Sequence, residues 1–303
     1  MKILITGSNG LLGQKLVKLL IDKNIEVVAT SRGANRINYL NTDFEYCELD
    51  ITDELEVDRV IKQYKPDTII HTAAMTNVDQ CEAEKEGCRQ LNVEAVKYLV
   101  RASEQHGSFF IHLSTDFIFD GEAGPYSEEA TPNPVSFYGQ SKLDAEKIVM
   151  ASEGDWAIAR TILVYGITPG MSRSNIILWV KENLENDKPL NLVNDQWRTP
   201  TLAEDLAIGC YLIAEKKAKG IFNISGDELL TPYDMALLAA VHFDLDASLI
   251  TQVDASTFSQ PAKRPPKTGF IIDKARELLG YNPRSFSEGI QILEEQVQNL
   301  PTD

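Results

Sequence analysis

Three side chains in this 303-residue chain have the types and spacing needed to move a proton onto a carbonyl oxygen. Tyr138 and Lys142 stand four residues apart in 138–151, a stretch that reads as a helix, so their side chains share one face. A tyrosine phenol titrates near pH ~10 and becomes a useful proton donor only where a cation stabilises the phenolate. Lys142 supplies that cation and can also hydrogen-bond the ribose of a nicotinamide cofactor. Thr115 lies in Ser114-Thr115-Asp116, at the end of a predicted strand, where open α/β sheets bind ligands. Its hydroxyl can polarise the carbonyl that Tyr138 protonates. The structural alternative is a buried tyrosine with a lysine stem laid along apolar surface.

A second constellation handles phosphate. Gly7-x-x-Gly10-x-x-Gly13 falls between the first predicted strand and the first predicted helix. There the loop lets backbone approach a pyrophosphate, and the helix start offers free N–H groups and a positive dipole end. The second strand runs into Ser31-Arg32, with Arg36 just beyond. A free ribose 2′-hydroxyl would favour an acidic residue at this place, whereas a 2′-phosphate favours arginine. NADP(H) is therefore the preferred cofactor, with NAD(H) possible. Asp50-Ile51, after the third strand, is placed to meet the adenine, although Asp50 could equally cap the next helix.

The elements that must position these groups alternate. Strands are expected at 2–6, 25–30, 46–49, 67–72, 108–114 and 156–160, with helices at 11–21, 53–64, 82–106 and 138–151 between them. Short, nearly continuous apolar strands separated by helices call for a doubly wound parallel sheet, the α/β Rossmann arrangement. After Gly166 the rhythm breaks into a helix at 174–184, a strand at 190–193, a helix at 203–214 and a seventh strand at 220–224. Further helices follow from Thr231, separated by a proline-rich stretch at 260–266. We expect a dinucleotide-binding domain over 1–166 with return segments at about 194–225. A smaller interleaved substrate lobe would take 167–193 and 226–303.

Composition narrows the partners. The chain carries 29 Lys plus Arg against 45 Asp plus Glu, a net charge of -16, which disfavours nucleic acid and anionic membrane surfaces. No apolar run approaches the ~18 residues of a membrane span, and the start MKILITGSNG is too short for a signal-peptide core, so a cytoplasmic location is expected. The four cysteines show no framework spacing, and no metal site is expected. His71, His106, His112 and His242 read as core or surface residues.

TGSNGLLG at 6–13, STDFIFDG at 114–121, YGQSK at 138–142 and RTILVYG at 160–166 resemble the extended short-chain dehydrogenase/reductase family. With DQWRTPT at 195–201 and the late Arg264-Pro265, the resemblance extends over nearly the whole length and narrows to dTDP-4-dehydrorhamnose reductases. It implies a Rossmann domain carrying the cofactor, a C-terminal lobe over a nucleotide-sugar, and Thr115, Tyr138 and Lys142 as the catalytic triad. It places Asn9, Leu11 and Leu12 in the phosphate loop and Thr72, Ala73 and Ala74 in the nicotinamide-side loop. Thr76, Val78, Asp116 and Phe117 fall in its sugar pocket, and the implied reaction is NADPH-dependent reduction of a 4-keto-6-deoxyhexose in dTDP-rhamnose biosynthesis. A homodimer is implied as well.

The departures are specific. Leu163 stands where the closest reductases carry a tryptophan, and Leu163 with DQWRTPT is also similar to the NADP-binding regulatory subunit of methionine adenosyltransferase. Phe117 replaces the second acid of sugar-nucleotide dehydratases and the cysteine of GDP-fucose-pathway epimerase-reductases, and Arg32 disfavours the NAD-holding epimerases. The acidity must coexist with two anionic ligands. Arg198, Lys263 and Arg264 are expected to meet the substrate pyrophosphate, leaving the negative charge on the outer surface.

Overall fold

The computed structural model describes residues 1–40, 42, 44–170, 175–258 and 260–299. Its first six strands are β1 (Lys2–Thr6), β2 (Glu26–Ser31), β3 (Glu45–Glu48), β4 (Thr68–His71), β5 (Phe109–Thr115) and β6 (Trp156–Thr161). The later ones are β7 (Val164–Tyr165), β8 (Leu190–Val193), β9 (Thr201–Leu202), β10 (Gly220–Asn223) and β11 (Ile250–Val253). Seven of them form one sheet in the order β10-β6-β5-β4-β1-β2-β3, with every pairing parallel. The order reverses between β1 and β4, and the crevice outside the strand ends at that switch is where a doubly wound sheet binds its ligand. The remaining strands form two parallel pairs, β7 with β9 and β8 with β11.

Strand alternation divides the core into two layers. Ile3 and Ile5 lie in the layer that includes α1 (Leu11–Asp22), α8 (Ala203–Lys216) and α10 (Asp273–Leu279), with Leu16, Leu206 and Ala275 in the same apolar cluster. Leu4, Ile69 and Phe110 face α2 (Glu54–Tyr64), α5 (Ala95–His106) and α6 (Phe137–Met150), packing on Val57, Leu99 and Ala145. A third apolar cluster joins α7 (Ile176–Glu185), α9 (Pro232–His242) and α11 (Phe286–Gln298) through Val180, Met235 and Ile290. The expected start of α7 at Ser174 lies outside the described residues. Local chemistry sets the helix ends: Asp53 caps α2 by accepting from the Leu55 and Glu56 amides, and capping boxes open α9 (Thr231/Asp234) and α11 (Ser285/Glu288).

The single long helix expected over 82–106 is broken. Before α5 the chain forms α3 (Val78–Ala83) and α4 (Lys85–Arg89), then a π-helical turn at Gln90–Glu94. Glu84 leaves helical backbone between α3 and α4, at φ -120 and ψ 56. The π turn swings Asn92 inward, where its amide donates to the Met75 carbonyl and Ser141 Oγ and its Oδ1 accepts from the Met75 amide. A regular helix would not bring Asn92 to these partners, and such inserted turns recur at functional sites.

The closest approach in the dinucleotide end is at Gly13, where a Cβ would lie 2.3 Å from the Gly7 carbonyl oxygen. Backbone cannot yield there, so Gly13→Ala must lift α1 off the loop. We expect a stability loss of about 1–3 kcal/mol in urea unfolding, as for other overpacked sites. A loss below about 0.5 kcal/mol, typical of surface changes, would contradict the close packing.

Candidate active site

Thr115 is the last residue of β5 and caps the short turn Asp116–Ile118, its Oγ1 accepting from the Phe117 amide at 3.3 Å. The same hydroxyl donates to Asp116 Oδ1 at 3.1 Å. Helix α6 begins under Ser136, which caps it by accepting from the Gly139 amide. Gly139 lets this helix press onto the turn, since a Cβ there would lie 2.1 Å from the Phe117 carbonyl oxygen. Tyr138 is thereby buried beside Phe117, the rings meeting edge to face at 5.8 Å. Burial pushes the Tyr138 phenol well above its ordinary value, and the hydrogen bond with Thr115 works in the opposite direction.

One helical turn on, Lys142 is also buried. Its Nζ donates to the Leu113 carbonyl at 2.6 Å and meets His112 Nε2 at 3.2 Å. Burial brings the Lys142 amine down to about 8, with Glu146 and Cys88 opposing that shift. His112 is fully buried, stacks on His71 at 5.4 Å, and is held neutral by burial and by the Lys142 charge. Burial likewise brings His71 to about 3, and its Nδ1 meets Thr6 Oγ1 at 2.7 Å. Among the described residues His112 Nδ1 finds no hydrogen-bond partner although it is buried. A nitrogen left bare in the core is costly, so the ring's position is explained by the bond that its other nitrogen makes to Lys142. Expected only as a core or surface residue, His112 thus belongs to the immediate surroundings of the site. No local sequence pattern marked it, because the parallel register that sets His71 opposite His112 exists only in the folded sheet.

Beneath the phenol, Cys81 and Cys88 pack with Tyr138 in one small apolar cluster. Cys88 also contacts Ser141 Oγ and the Asn92 amide, and the hydrogen bond from Cys81 holds its thiol below the usual range. Among the described residues, no group of three or more His, Cys, Asp or Glu is arranged to hold a metal ion.

The phosphate loop opens onto a cleft of about 770 Å³ lined by Asn9, Gly10, Leu11, Ser31, Arg32, Arg36, Thr76 and Leu163, among others. Gly10 is the N-cap of α1 and has no side-chain cap, so the helix presents uncapped N–H groups to the cleft. Asn9 ties the arginine loop to this site, donating to the Ala34 carbonyl and accepting from the Arg36 amide. The Arg32 and Arg36 side chains are exposed and make no ion pair among the described residues. Burial works against ionisation at Asp50, but bonds from Thr52 and the charge of Arg32 outweigh it and hold its carboxyl below the usual range. Ile51 is buried against α2. Thr72 Oγ1 donates to the Thr6 carbonyl, bracing the loop with Ala73 and Ala74 against Gly7. A helix start without a side-chain cap among the described residues, a glycine loop and two exposed guanidinium groups on one cleft fit an anionic dinucleotide.

The residues expected to face substrate divide. Thr76 is exposed at the cleft, and Val78 and Phe117 are half-buried around Tyr138. Asp116 and Arg198 are 2% and 6% exposed and face each other, Arg198 Nε lying 3.6 Å from Asp116 Oδ2. Arg198 donates to the carbonyls of Trp197, Pro265 and Pro266, so its guanidinium is bound within the protein instead of standing free for a pyrophosphate. Arg264 pairs with both oxygens of Asp79. Lys263 is exposed and, among the described residues, is the one of the three that makes no ion pair. Leu163 sits at the cleft rim, 44% exposed, in left-handed backbone at φ 35, a conformation disfavoured for a residue with a Cβ. No helix among the described residues is long and apolar enough to cross a membrane.

Comparison with known proteins gives consistent neighbours. The sequence profile of the RmlD substrate binding domain matches residues 1–299. Methionine adenosyltransferase 2 subunit beta of Xenopus laevis is 34% identical over 254 residues, spanning 82% of this chain and 73% of that protein. A dTDP-4-dehydrorhamnose reductase from Clostridium acetobutylicum superposes with a TM-score of 0.86 at 31% identity, over 98% of this chain and 100% of that one. The dTDP-4-dehydrorhamnose reductase of Bacillus anthracis, solved in complex with NADP, superposes with a TM-score of 0.85 at 25% identity, over 97% and 99% of the two chains.

The buried lysine carries a measurable signature. Its amine releases its proton near 8 in the folded chain against 10.5 ordinarily, so between those values the unfolded chain holds more protons and folding stability rises with pH. Lys142→Met removes this contribution. Its stability relative to the parent is expected to be greatest below pH about 8 and to decline toward pH about 10.5, read by urea unfolding of both proteins. A gap that stays constant across that window would contradict a desolvated amine.

Proposed function

The chain belongs to the RmlD substrate binding domain family of extended short-chain dehydrogenases/reductases, and from that premise we propose that it uses NADPH to reduce the 4-keto group of a nucleotide-linked 6-deoxyhexose, as a dTDP-4-dehydrorhamnose reductase does. The observation that carries this reading is the joining of Thr115, Tyr138 and Lys142 in one buried site at the end of β5, in a fold whose dinucleotide cleft bears free arginines. NADPH, when bound, supplies the hydride. Tyr138 gives its phenolic proton to the oxygen on which charge develops. Lys142 stabilises the phenolate left behind: two of its three N–H donors are directed to Leu113 and His112, and the third is left for the cofactor ribose. Thr115 orients the phenol; its own hydrogen points at Asp116 Oδ1, so the polarising of the carbonyl expected of it falls to Tyr138. Burial of all three excludes water, which strengthens each electrostatic contact in the site.

Arg32 and Arg36 support NADPH over NADH as the preferred cofactor, and Lys263 is the candidate for the substrate pyrophosphate. We assign 1–166, with 194–225, to the cofactor domain, and 167–193 and 226–303 to the substrate lobe, of which 171–174, 259 and 300–303 lie outside the described residues. A homodimer is the working assembly.

A second reading has its own support: the similarity to a methionine adenosyltransferase beta subunit, together with Leu163 at the place of an aromatic wall, fits a cofactor-loaded regulatory subunit. A pure binding module has no need of Tyr138 and Lys142 together, and the reductase is the preferred reading.

Purified protein given dTDP-, GDP- or UDP-linked 4-keto sugars is expected to oxidise NADPH, followed by nicotinamide absorbance. Tyr138→Phe is expected to lower kcat by about 10²–10⁴ while NADPH binding persists. Oxidation of NADPH by none of these sugars, with a partner enzyme co-purifying, would favour the regulatory subunit. Arg32→Ala is expected to raise the KM for NADPH about tenfold to a hundredfold and leave that for NADH nearly unchanged, since one charge-assisted bond is lost. Equal losses with both cofactors would contradict a 2′-phosphate contact.

A further inference from the structure

Asp116 was expected at the sugar, yet both of its oxygens are held inside the protein. Oδ1 accepts from Thr115 Oγ1 at 3.1 Å. Oδ2 accepts from Thr268 Oγ1 and faces Arg198 Nε at 3.6 Å. Thr268 is fully buried and cannot touch a ligand. Arg198 in turn clasps the backbone of two segments, donating to the Trp197 carbonyl at 2.8 Å, Pro266 at 3.1 Å and Pro265 at 2.6 Å. The segments are also joined directly, the Trp197 amide donating to the Pro266 carbonyl and the Thr268 amide to the Trp197 carbonyl. One carboxylate therefore links the end of β5 to an arch made of 197–198 and 265–268.

The proton inventory makes this linkage directional. A carboxylate has acceptors only, and a threonine hydroxyl has one hydrogen to donate. Full burial pushes the Asp116 carboxyl above its ordinary value, and the Arg198 guanidinium and the two hydroxyl donors converging on it oppose that shift and favour the ionised form. The Thr115 hydrogen is then directed at Oδ1, and a lone pair is left to accept from the Phe117 amide. Rotation of that hydroxyl would leave a buried carboxylate oxygen without its donor, which costs more than an ordinary hydrogen bond.

We propose that Asp116 is a positioning residue, which holds the Thr115 hydroxyl in one orientation and, through Thr268 and Arg198, ties that orientation to the arch of 197–198 and 265–268. The inference rests on the reductase reading of Thr115 and Tyr138 and deepens it. Movement of the arch on substrate binding would reach the reacting groups through Asp116.

The test is a double-mutant cycle in kcat on the full chain with NADPH and a nucleotide-linked 4-keto sugar, with NADPH dissociation constants read separately by nicotinamide fluorescence. Thr268→Val is expected to slow kcat about tenfold by misplacing Thr115, with NADPH affinity unchanged, and Thr268→Ser to restore it. In the Thr115→Val background, Thr268→Val is expected to change kcat by less than about twofold, because the hydroxyl it positions is already gone. A general structural role would instead multiply the two losses and leave Thr268→Ser intermediate, and that result overturns the inference. So does a Thr268→Val enzyme within about twofold of the parent. Should Thr268→Val not fold, Asp116→Glu, which keeps the charge and displaces the oxygens, takes its place in the same cycle with the same criteria. A parent enzyme that turns over none of the sugars overturns the reductase reading, and this inference with it.

Discussion

The amine of Lys142 lies where water does not reach it, and the arrangement around it governs the rest of the site. An ammonium group taken out of water loses far more hydration than one ordinary hydrogen bond returns. Two acceptors meet it directly, the Leu113 carbonyl and His112, and Glu146 stands one helical turn away. Glu146 is itself fully buried and is gripped by both ends of the Arg160 guanidinium, at 2.9 and 2.7 Å. Arg160 also donates to the Glu128 carbonyl, and the Glu128 carboxylate accepts from the Asn223 amide. A chain of buried polar contacts thus fixes α6 against β5, β6 and β10, and so fixes where Tyr138 and Lys142 stand relative to Thr115. Removing one member of a buried pair typically costs about 3–5 kcal/mol, so these contacts act as constraints on geometry as much as sources of stability.

The scaffold was legible in the sequence because it rests on local patterns. Short apolar strands, helical spacing between them and the Gly7–Gly10–Gly13 turn each follow from neighbours in the chain, and the strands expected lie within about two residues of observed ones, whereas the short β7 and β9 and the later β11 were not anticipated. What was not legible depends on partners far away. The break at Gln90–Glu94 exists because Asn92 meets Met75 and Ser141, residues no local periodicity connects. His112 became part of the site because parallel register set it beside His71 and under Lys142. Arg198 looked like a phosphate ligand because arginine usually serves as one. Its acceptors are carbonyls 67 and 68 positions on, visible only once the chain has folded.

Electrostatics divide between surface and cleft. The net charge of -16 argues against polyanionic partners, yet the dinucleotide cleft has its own positive features: an uncapped helix start and the free side chains of Arg32 and Arg36. Anion binding here needs no basic protein, only local donors that the acidic exterior does not neutralise. On the substrate side the same distinction removes Arg198 from the free cations and leaves Lys263.

On the proposed reductase reading, burial holds Tyr138 in its protonated form until the cofactor and Lys142 together favour the phenolate. The most direct measurement is an ultraviolet titration of phenolate absorbance, parent minus Tyr138→Phe, with and without saturating NADP⁺. Tyr138 is expected to ionise above the ordinary tyrosine value near ~10 in the free protein and below it once NADP⁺ is bound. An ionisation that NADP⁺ leaves unmoved would contradict it.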